Sequence, residues 1–372
     1  MLRLFLLSLF FVSTLCKAQD WSSEATRVCD SMIRHFWGGS FPDAATQNYF
    51  NSMGAQMSMK NEWWWQAHAM DVIIDTYVRT GDRKYLHYYE PWYEGIIASN
   101  YEHFDDDVLR NNSIDDMEWI CITLIRMYRS SGDERYLQHA KKLYENYIIT
   151  TWGPDEETPW YGGISWSSDA DISKTKNACS NGPAGIIAAL LGKTDDLKRI
   201  YYWERNRLFD LESGAVYDHI GRNGVNRALH SYNSGTFIAM AMHLYLFTKN
   251  DSLLNDITLA ADFAIRHFSV GKQQLMSSVS RSDKGGDTGL FHGIFFRYLA
   301  ETINAGILPA KKEKQYRQFL VDNAVLAKTC LVSGTDLFSR DWVNIRICNS
   351  AEAALTPHVT GATLFSAVAS LK

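Results

Sequence analysis

The sequence predicts an all-α chain folded as a closed toroid of six helical hairpins. Apolar residues recur at three- and four-residue spacing through nearly the whole length, while alternating strand-like runs are few and short. A turn pattern also repeats: Arg79-Thr-Gly-Asp-Arg-Lys-Tyr-Leu86 returns as Ser130-Ser-Gly-Asp-Glu-Arg-Tyr-Leu137, with fainter echoes at Gly192-Lys-Thr-Asp-Asp-Leu197 and Lys249-Asn-Asp-Ser-Leu-Leu254. The glycine suits the left-handed residue that ends one helix, and the polar residue after it caps the next, so each copy marks a hairpin. The third observation separates open from closed arrays. Segments that follow long loops open with unusual polar and aromatic groups, and the segments between them open with plain caps. That alternation fits an inner ring whose N-terminal ends converge on a cleft, packed inside an outer ring.

Taken in order, the periodicity and the stop signals place helices near residues 22–37, 61–80, 83–102, 115–130, 133–150, 180–191, 194–210, 232–248, 252–268, 287–304, 311–331 and 349–370. No low-complexity linker or composition shift follows residue 19, and the 7 prolines are scattered, so residues 19–372 are expected to form one domain. The first residues, Met-Leu-Arg-Leu-Phe-Leu-Leu-Ser-Leu-Phe-Phe-Val, carry one positive charge and a short apolar run. They read as a secretory signal peptide, residues 1–18, cut after Ala18, with export to the periplasm or cell exterior. The run from Leu4 to Val12 is too short to span a membrane, which takes about 20 residues.

The 372 residues carry a net charge of -5 and are 46% hydrophobic, a balance that argues against a nucleic-acid or membrane-surface partner and for a neutral or modestly charged ligand. Aromatics at 13%, with 12 Trp and 19 Tyr, suit a protein that stacks rings on sugar faces. Beyond Cys16 in the leader, Cys29, Cys121, Cys179, Cys330 and Cys348 show no metal-ligand spacing and read as buried thiols. No metal or cofactor is expected, and a monomer is expected. The Gly-rich turns at 162–163 and 285–286 lack the preceding strand and the Lys-Ser ending of a phosphate cradle.

The chemistry-bearing feature is Asn111-Asn-Ser-Ile-Asp-Asp-Met-Glu-Trp119, where Asp115 and Asp116 stand side by side at a helix start. Retaining glycosidases hold two carboxyl groups roughly 5 Å apart, and side chains from neighbouring Cα atoms about 3.8 Å apart can reach that separation. The same residues form an acceptable capping box, Ser113 with Asp116 or Asp115 with Glu118, so the local pattern leaves both readings open. Trp119 shares the aspartates' helical face and is placed as one wall of a site. Trp63, Trp64 and Trp65 cannot all face one core, so at least one is expected at the cleft beside His68. The long loop Trp160-Tyr-Gly-Gly-Ile-Ser-Trp-Ser-Ser-Asp-Ala-Asp171 carries Trp166, followed by Asn177 and Asn181. Tyr232 and Asn233 open one later segment, and Asp287, Phe291, His292 and Arg297 open another.

In this order the motifs resemble glycoside hydrolase family 76, the endo-acting α-1,6-mannanases of bacteria and fungi. The matching elements are Asp115-Asp116 with Trp119, Gly162-Gly-Ile-Ser-Trp166, Asn177 with Asn181, Tyr232-Asn-Ser-Gly235 and Gly286-Asp-Thr-Gly-Leu-Phe-His-Gly-Ile-Phe-Phe-Arg-Tyr298. The resemblance implies an (α/α)6 barrel and retaining hydrolysis of α-1,6-linked mannan, with Asp115 as nucleophile and Asp116 as acid/base. At one position it departs from the family, which commonly has lysine where His292 stands. Rival readings are a mannan transglycosidase, another (α/α)6 sugar enzyme such as an unsaturated glycuronidase, and a non-catalytic mannan-binding protein on the same scaffold. A uronate substrate would call for a more basic cleft, and a binder gains little from two crowded carboxyls.

Overall fold

The computed structural model describes residues 19–38, 48–50, 63–100, 104–153, 161–169, 175–271, 276, 286–339, 342 and 353–372. The leader, Trp160, Asp171, Lys284 and Cys348 lie outside them, as do residues 349–352 of the last predicted helix. Among the described residues the helices are α1 (Trp21–Phe36), α2 (Trp63–Thr80), α3 (Tyr89–Ser99), α4 (Ile114–Ser131), α5 (Glu134–Leu143), α6 (Ala178–Leu190), α7 (Thr194–Arg207), α8 (Ser231–Thr248), α9 (Ser252–Phe268), α10 (Thr288–Asn304), α11 (Ala310–Thr329) and α12 (Leu355–Ser370). Two predicted helices are shorter than expected. The run from 83 begins as a 3-10 turn, Arg83–Tyr88, and the run from 133 loosens at its end into a π turn, Tyr144–Ile148.

The even-numbered helices pack in sequence, α2 on α4, α4 on α6, α6 on α8, α8 on α10, α10 on α12, and α12 returns to α2. That last contact closes the ring, and the fold is an (α/α)6 barrel. The odd-numbered helices lie outside, each against its inner neighbour, with the first helix packed on the last. Burial follows the layers: α6 and α12 are buried on almost every residue, whereas α5 buries only Tyr136, Ala140 and Leu143. Close approach of inner helices is set by small residues. A Cβ on Gly235 of α8 would sit 2.9 Å from the Phe295 Cα of α10, so any side chain there would push the two helices apart.

The repeated turns take the conformation that their residues predict. Gly81, Gly132 and Gly192 adopt φ of +69°, +77° and +74°. Asp82 and Asp133 then accept from the backbone N–H groups of Lys84 and Arg135, each at 3.0 Å. Lys249 takes the same left-handed conformation without being glycine, at a cost of about 1 kcal/mol.

Two small sheets interrupt the helices. Strands β1 (Lys176–Asn177), β2 (Tyr217–Gly221) and β3 (Gly224–Leu229) form an antiparallel sheet in that order, and β4 (Leu331–Val332) pairs with β5 (Leu337–Phe338). The β4–β5 hairpin is held by His358 of α12, whose Nδ1 accepts from the Phe338 N–H at 3.1 Å while its Nε2 faces the Val28 carbonyl at 3.0 Å. Burial holds this ring's pKa down at about 4, against an ordinary 6.5. The folded chain therefore binds fewer protons here than the unfolded one. The stabilisation is complete above pH 6.5 and is lost as the pH falls toward 4. The thermal midpoint of the wild type should drop more over that window than that of His358→Gln. Equal slopes would remove His358 from the acid response.

Candidate active site

The N-terminal ends of five inner helices open on a cleft of about 440 Å³. It is lined by Trp64 of α2, Asp115 and Trp119 of α4, Cys179 of α6, Tyr232 of α8 and Phe291 of α10, with Asp287 just before α10. Asn177 of β1, Asp218 and His219 of β2, Thr175 and Trp166 complete the wall. The converging helix N-termini place partial positive charge around the cleft and favour a carboxylate there. A second cavity, of about 540 Å³, lies at the opposite mouth, among the C-terminal turns of α2, α4, α10 and α12. Its arginines, Arg79, Arg126, Arg129 and Arg297, offset the carbonyl ends of those helices, and it carries no aromatic wall.

The start of α4 is set by the loop of residues 161–169. Gly162 and Gly163 lie against the Trp203 indole with φ of +75° and +77°. At Gly163 a Cβ would come within 2.6 Å of that ring, so only glycine fits. Ile164 is clamped by the Asn181 amide, which accepts from its N–H at 2.8 Å and donates to its carbonyl at 3.2 Å. Trp166 then meets α4 twice. Its carbonyl accepts from the Ile114 N–H at 3.0 Å, and its indole N–H donates to Asp115 Oδ2 at 3.3 Å. Ser113 pairs with Ser167 as an isolated bridge and makes no side-chain cap bond. Glu118 is fully buried with both carboxyl oxygens unpaired, so neither version of the capping box forms.

Burial pushes the Asp115 carboxyl up to about 6, opposed by hydrogen bonds from Cys179, from Trp166 and from the backbone of its own turn. Asp116 follows on the same turn at 9% exposure and is not among the lining residues. An arc of rings faces the pair: Tyr232 contacts Phe291 at 4.4 Å, Phe291 stacks on Trp64 at 6.2 Å, and His68 bridges Trp64 and Trp119 at 5.8 and 4.6 Å. Trp166 is 40% exposed at the rim.

Six residues expected at the site from the sequence are thus beside or behind the cleft. Trp63 is fully buried between the helix layers, because consecutive helical residues point about 100° apart and only Trp64 of the three faces inward. Trp65 is also buried, but its indole N–H donates to Asp287 Oδ1 at 2.8 Å and so holds a lining carboxylate. Asn181 is spent on the loop, and Asn233 is fully buried with its amide unpaired. His292 turns away to Ser231 Oγ, 2.6 Å from its Nδ1, and burial lowers its pKa to about 4. Asp116 is the sixth. In turn, Cys179, Asp218, His219 and Thr175 line the cleft unannounced. The only sequence signal for the middle two was the alternating run before Gly221-Arg-Asn-Gly224, which forms the β2–β3 hairpin.

Among the described residues no helix is long and apolar enough to cross a membrane, and no group of three or more His, Cys, Asp or Glu is placed to hold a metal ion. Cys29, Cys121, Cys179 and Cys330 are buried free thiols.

A helical toroid whose inner N-termini carry an aromatic-walled cleft and paired carboxyl groups is the architecture of a carbohydrate-cleaving enzyme. The chain matches glycosyl hydrolase family 76 over residues 20–367 and belongs to that family, which makes it a glycoside hydrolase. It is 30% identical to the α-1,6-mannanase GH76A of Salegentibacter sp. HEL1_6, covering 95% of this chain and 100% of that one, with a TM-score of 0.80. An inactive variant of that enzyme, with two consecutive aspartates replaced, is solved in complex with α-1,6-mannotetrose and superposes with a TM-score of 0.81 at 30% identity, over 95% and 100% of the two chains. The family 76 mannosidase Bt3792 of Bacteroides thetaiotaomicron shares the fold at 15% identity, over 94% of this chain and 98% of that one, with a TM-score of 0.73. No curated protein sequence matches the chain.

Proposed function

We propose that the protein hydrolyses internal α-1,6-mannosidic bonds with net retention, Asp115 acting as nucleophile and Asp116 as acid/base. The observation that carries this reading is the Asp115 carboxyl, set in the cleft wall under two donors with a second carboxyl beside it on the same helical turn. The Salegentibacter enzyme supports it, since its inactive variants lack two consecutive aspartates and bind α-1,6-mannotetrose or α-1,6-mannotriose.

Mannan lies across the ring arc, its apolar sugar faces stacked on Trp64, Trp119 and Trp166. The buried, unpaired Asn177 Oδ1 accepts from a sugar hydroxyl. Asp116 gives its proton to the departing glycosidic oxygen while an Asp115 oxygen attacks the anomeric carbon, forming a glycosyl ester. Water then gives a proton to Asp116 and attacks the same carbon, releasing ionised Asp115. Asp116 is set back in the free enzyme, as catalytic groups often are before substrate binds. Export with cleavage after Ala18 and a monomeric state complete the reading, testable by N-terminal sequencing and light scattering of the mature protein.

Product analysis on linear α-1,6-mannan and on branched yeast mannan tests the function. A ladder of manno-oligosaccharides supports it, and release of mannose alone, transfer products or no turnover would each replace it. The stereochemistry follows from the spacing. Carboxyls on adjacent residues cannot be held at the roughly 6.5–9.5 Å of an inverting enzyme, so the first product seen by NMR should be the α-anomer. Initial β-anomer would point to a distant second acid. A pH dependence follows too: Asp115 must be ionised to attack, so kcat/KM should fall as the pH drops through about 6. An acidic limb near the ordinary carboxyl value would count against Asp115 as the nucleophile.

A further inference from the structure

Trp166 is 40% exposed at the rim of the cleft, and its indole N–H points back to Asp115 Oδ2 at 3.3 Å. Backbone pairing holds this donor against its acceptor. The Ile114 N–H donates to the Trp166 carbonyl at 3.0 Å, the Ser168 N–H donates to the Asn112 carbonyl at 2.9 Å, and Ser113 bridges to Ser167. The segment that carries the indole is therefore laced to the turn that starts α4. From its other side the Trp166 N–H donates to the Thr175 carbonyl at 3.1 Å.

An indole N–H can only donate, so it favours an ionised carboxylate and offers a protonated one no acceptor. The other side-chain donor on Asp115, the Cys179 thiol, is a weak one. The titratable groups facing Asp115 are Asp116 and Glu118 of its own helix, Cys179 of α6, Tyr232 of α8 and, across the cleft, Asp218, His219 and Asp287. All but His219 are acids, and each of them when ionised works against the charge on Asp115. Burial works against it too, and the hydrogen bonds oppose that push.

We propose that Trp166 is a positioning residue for the nucleophile as well as a platform for the sugar: its indole N–H holds the Asp115 carboxylate in the cleft wall and keeps it charged, while the ring face takes the substrate. This rests on the reading of Asp115 as nucleophile. One side chain then serves binding through its apolar face and ionisation through its polar edge, and the two uses can be removed separately. Phenylalanine keeps a face and deletes the donor. Alanine deletes both.

In the mature protein labelled with 15N-tryptophan, the Trp166 indole signal, assigned through Trp166→Phe, should shift with a midpoint of about 6 as Asp115 ionises and should lose that shift in Asp115→Asn. Carboxyl-13C aspartate reads the same bond from the acceptor. The Asp115 midpoint, assigned through Asp115→Asn, should rise by about one pH unit in Trp166→Phe. Turnover on α-1,6-mannan then follows. Relative to wild type, kcat/KM of Trp166→Phe should be about fivefold lower at pH 6 and nearly equal at pH 8, because a higher pH restores the ionised nucleophile. A ring needed only for packing or stacking would lower both alike. At pH 8 the KM should stay within about threefold of wild type in Trp166→Phe and rise about tenfold in Trp166→Ala. An indole signal that ignores pH between 4 and 8, or an Asp115 midpoint unmoved in Trp166→Phe, would overturn the proposal. The indole titration needs neither substrate nor a change at Trp166. A titrating indole in a protein that leaves mannan intact supports the hold of Trp166 on Asp115 and sinks only the substrate assignment.

Discussion

Asparagine at Asp115 is expected to lower hydrolysis of α-1,6-mannan on the order of 10⁴-fold or more, and asparagine at Asp116 by about 10²- to 10⁴-fold, with the fold retained in both. The Asp115 variant should unfold within about 1 kcal/mol of wild type, because Asp115 closes no capping box with Glu118, whose oxygens are unpaired among the described residues. At Asp115 the change also removes a carboxylate whose ionised form is disfavoured by burial, so no loss of stability is expected there. An activated aryl mannoside separates the two roles. A good leaving group needs no acid, so the Asp116 variant should still release the aryl group and accumulate the glycosyl ester, visible as an added sugar mass on the protein. The Asp115 variant should not. Near-normal turnover on unactivated mannan by either variant would remove that residue from the chemistry.

The largest loss of stability is expected far from the cleft, at the opposite mouth of the barrel. Arg126 of α4 forms ion pairs with Asp71, at 2.6 Å, and with Asp75, both on α2, and Arg297 of α10 pairs with Asp75 at 2.9 Å. These groups bind three inner helices together, and Asp71 is only 3% exposed. Replacing Arg126 by leucine leaves Asp71, among the described residues, with the Thr123 hydroxyl at 3.2 Å as its bonded partner. Breaking a buried pair from one side costs about 3–5 kcal/mol, because the partner's charge stays behind in the interior. The variant should therefore unfold at markedly lower denaturant concentration. Adding Asp71→Asn should recover part of the loss, since it removes the stranded charge. A loss below about 1 kcal/mol in Arg126→Leu would mean that Asp71 and Asp75 take up protons or water instead. The folded fraction should keep its activity, as none of these groups lines the cleft.

The hairpins were legible because their signals are local. A glycine in the left-handed region followed by a capping aspartate, as at Gly81-Asp82 and Gly132-Asp133, depends on a few adjacent residues and reads the same in any surroundings. The same holds for the gathering of functional groups at the starts of alternate helices. Side-chain direction was not legible to that degree. Helical periodicity says that Trp63, Trp64 and Trp65 diverge, but which one meets the cleft depends on how α2 is rotated against its ring neighbours α4 and α12. His292 shows the same limit: Ser231, 61 positions away, captures a ring that sequence order placed at the site.

By itself, then, the sequence determined the helical layers, the hairpin turns and the adjacency of Asp115 and Asp116, since each rests on covalent spacing or on residues within a turn of one another. Only the tertiary structure decided the rest. The Trp166 indole reaches Asp115 across 51 residues, Trp65 holds Asp287 across 222, and the β2–β3 hairpin brings Asp218 and His219 to the rim. Closure of α12 onto α2 makes those distances short, and the burial that raises the Asp115 pKa exists only once the ring is shut.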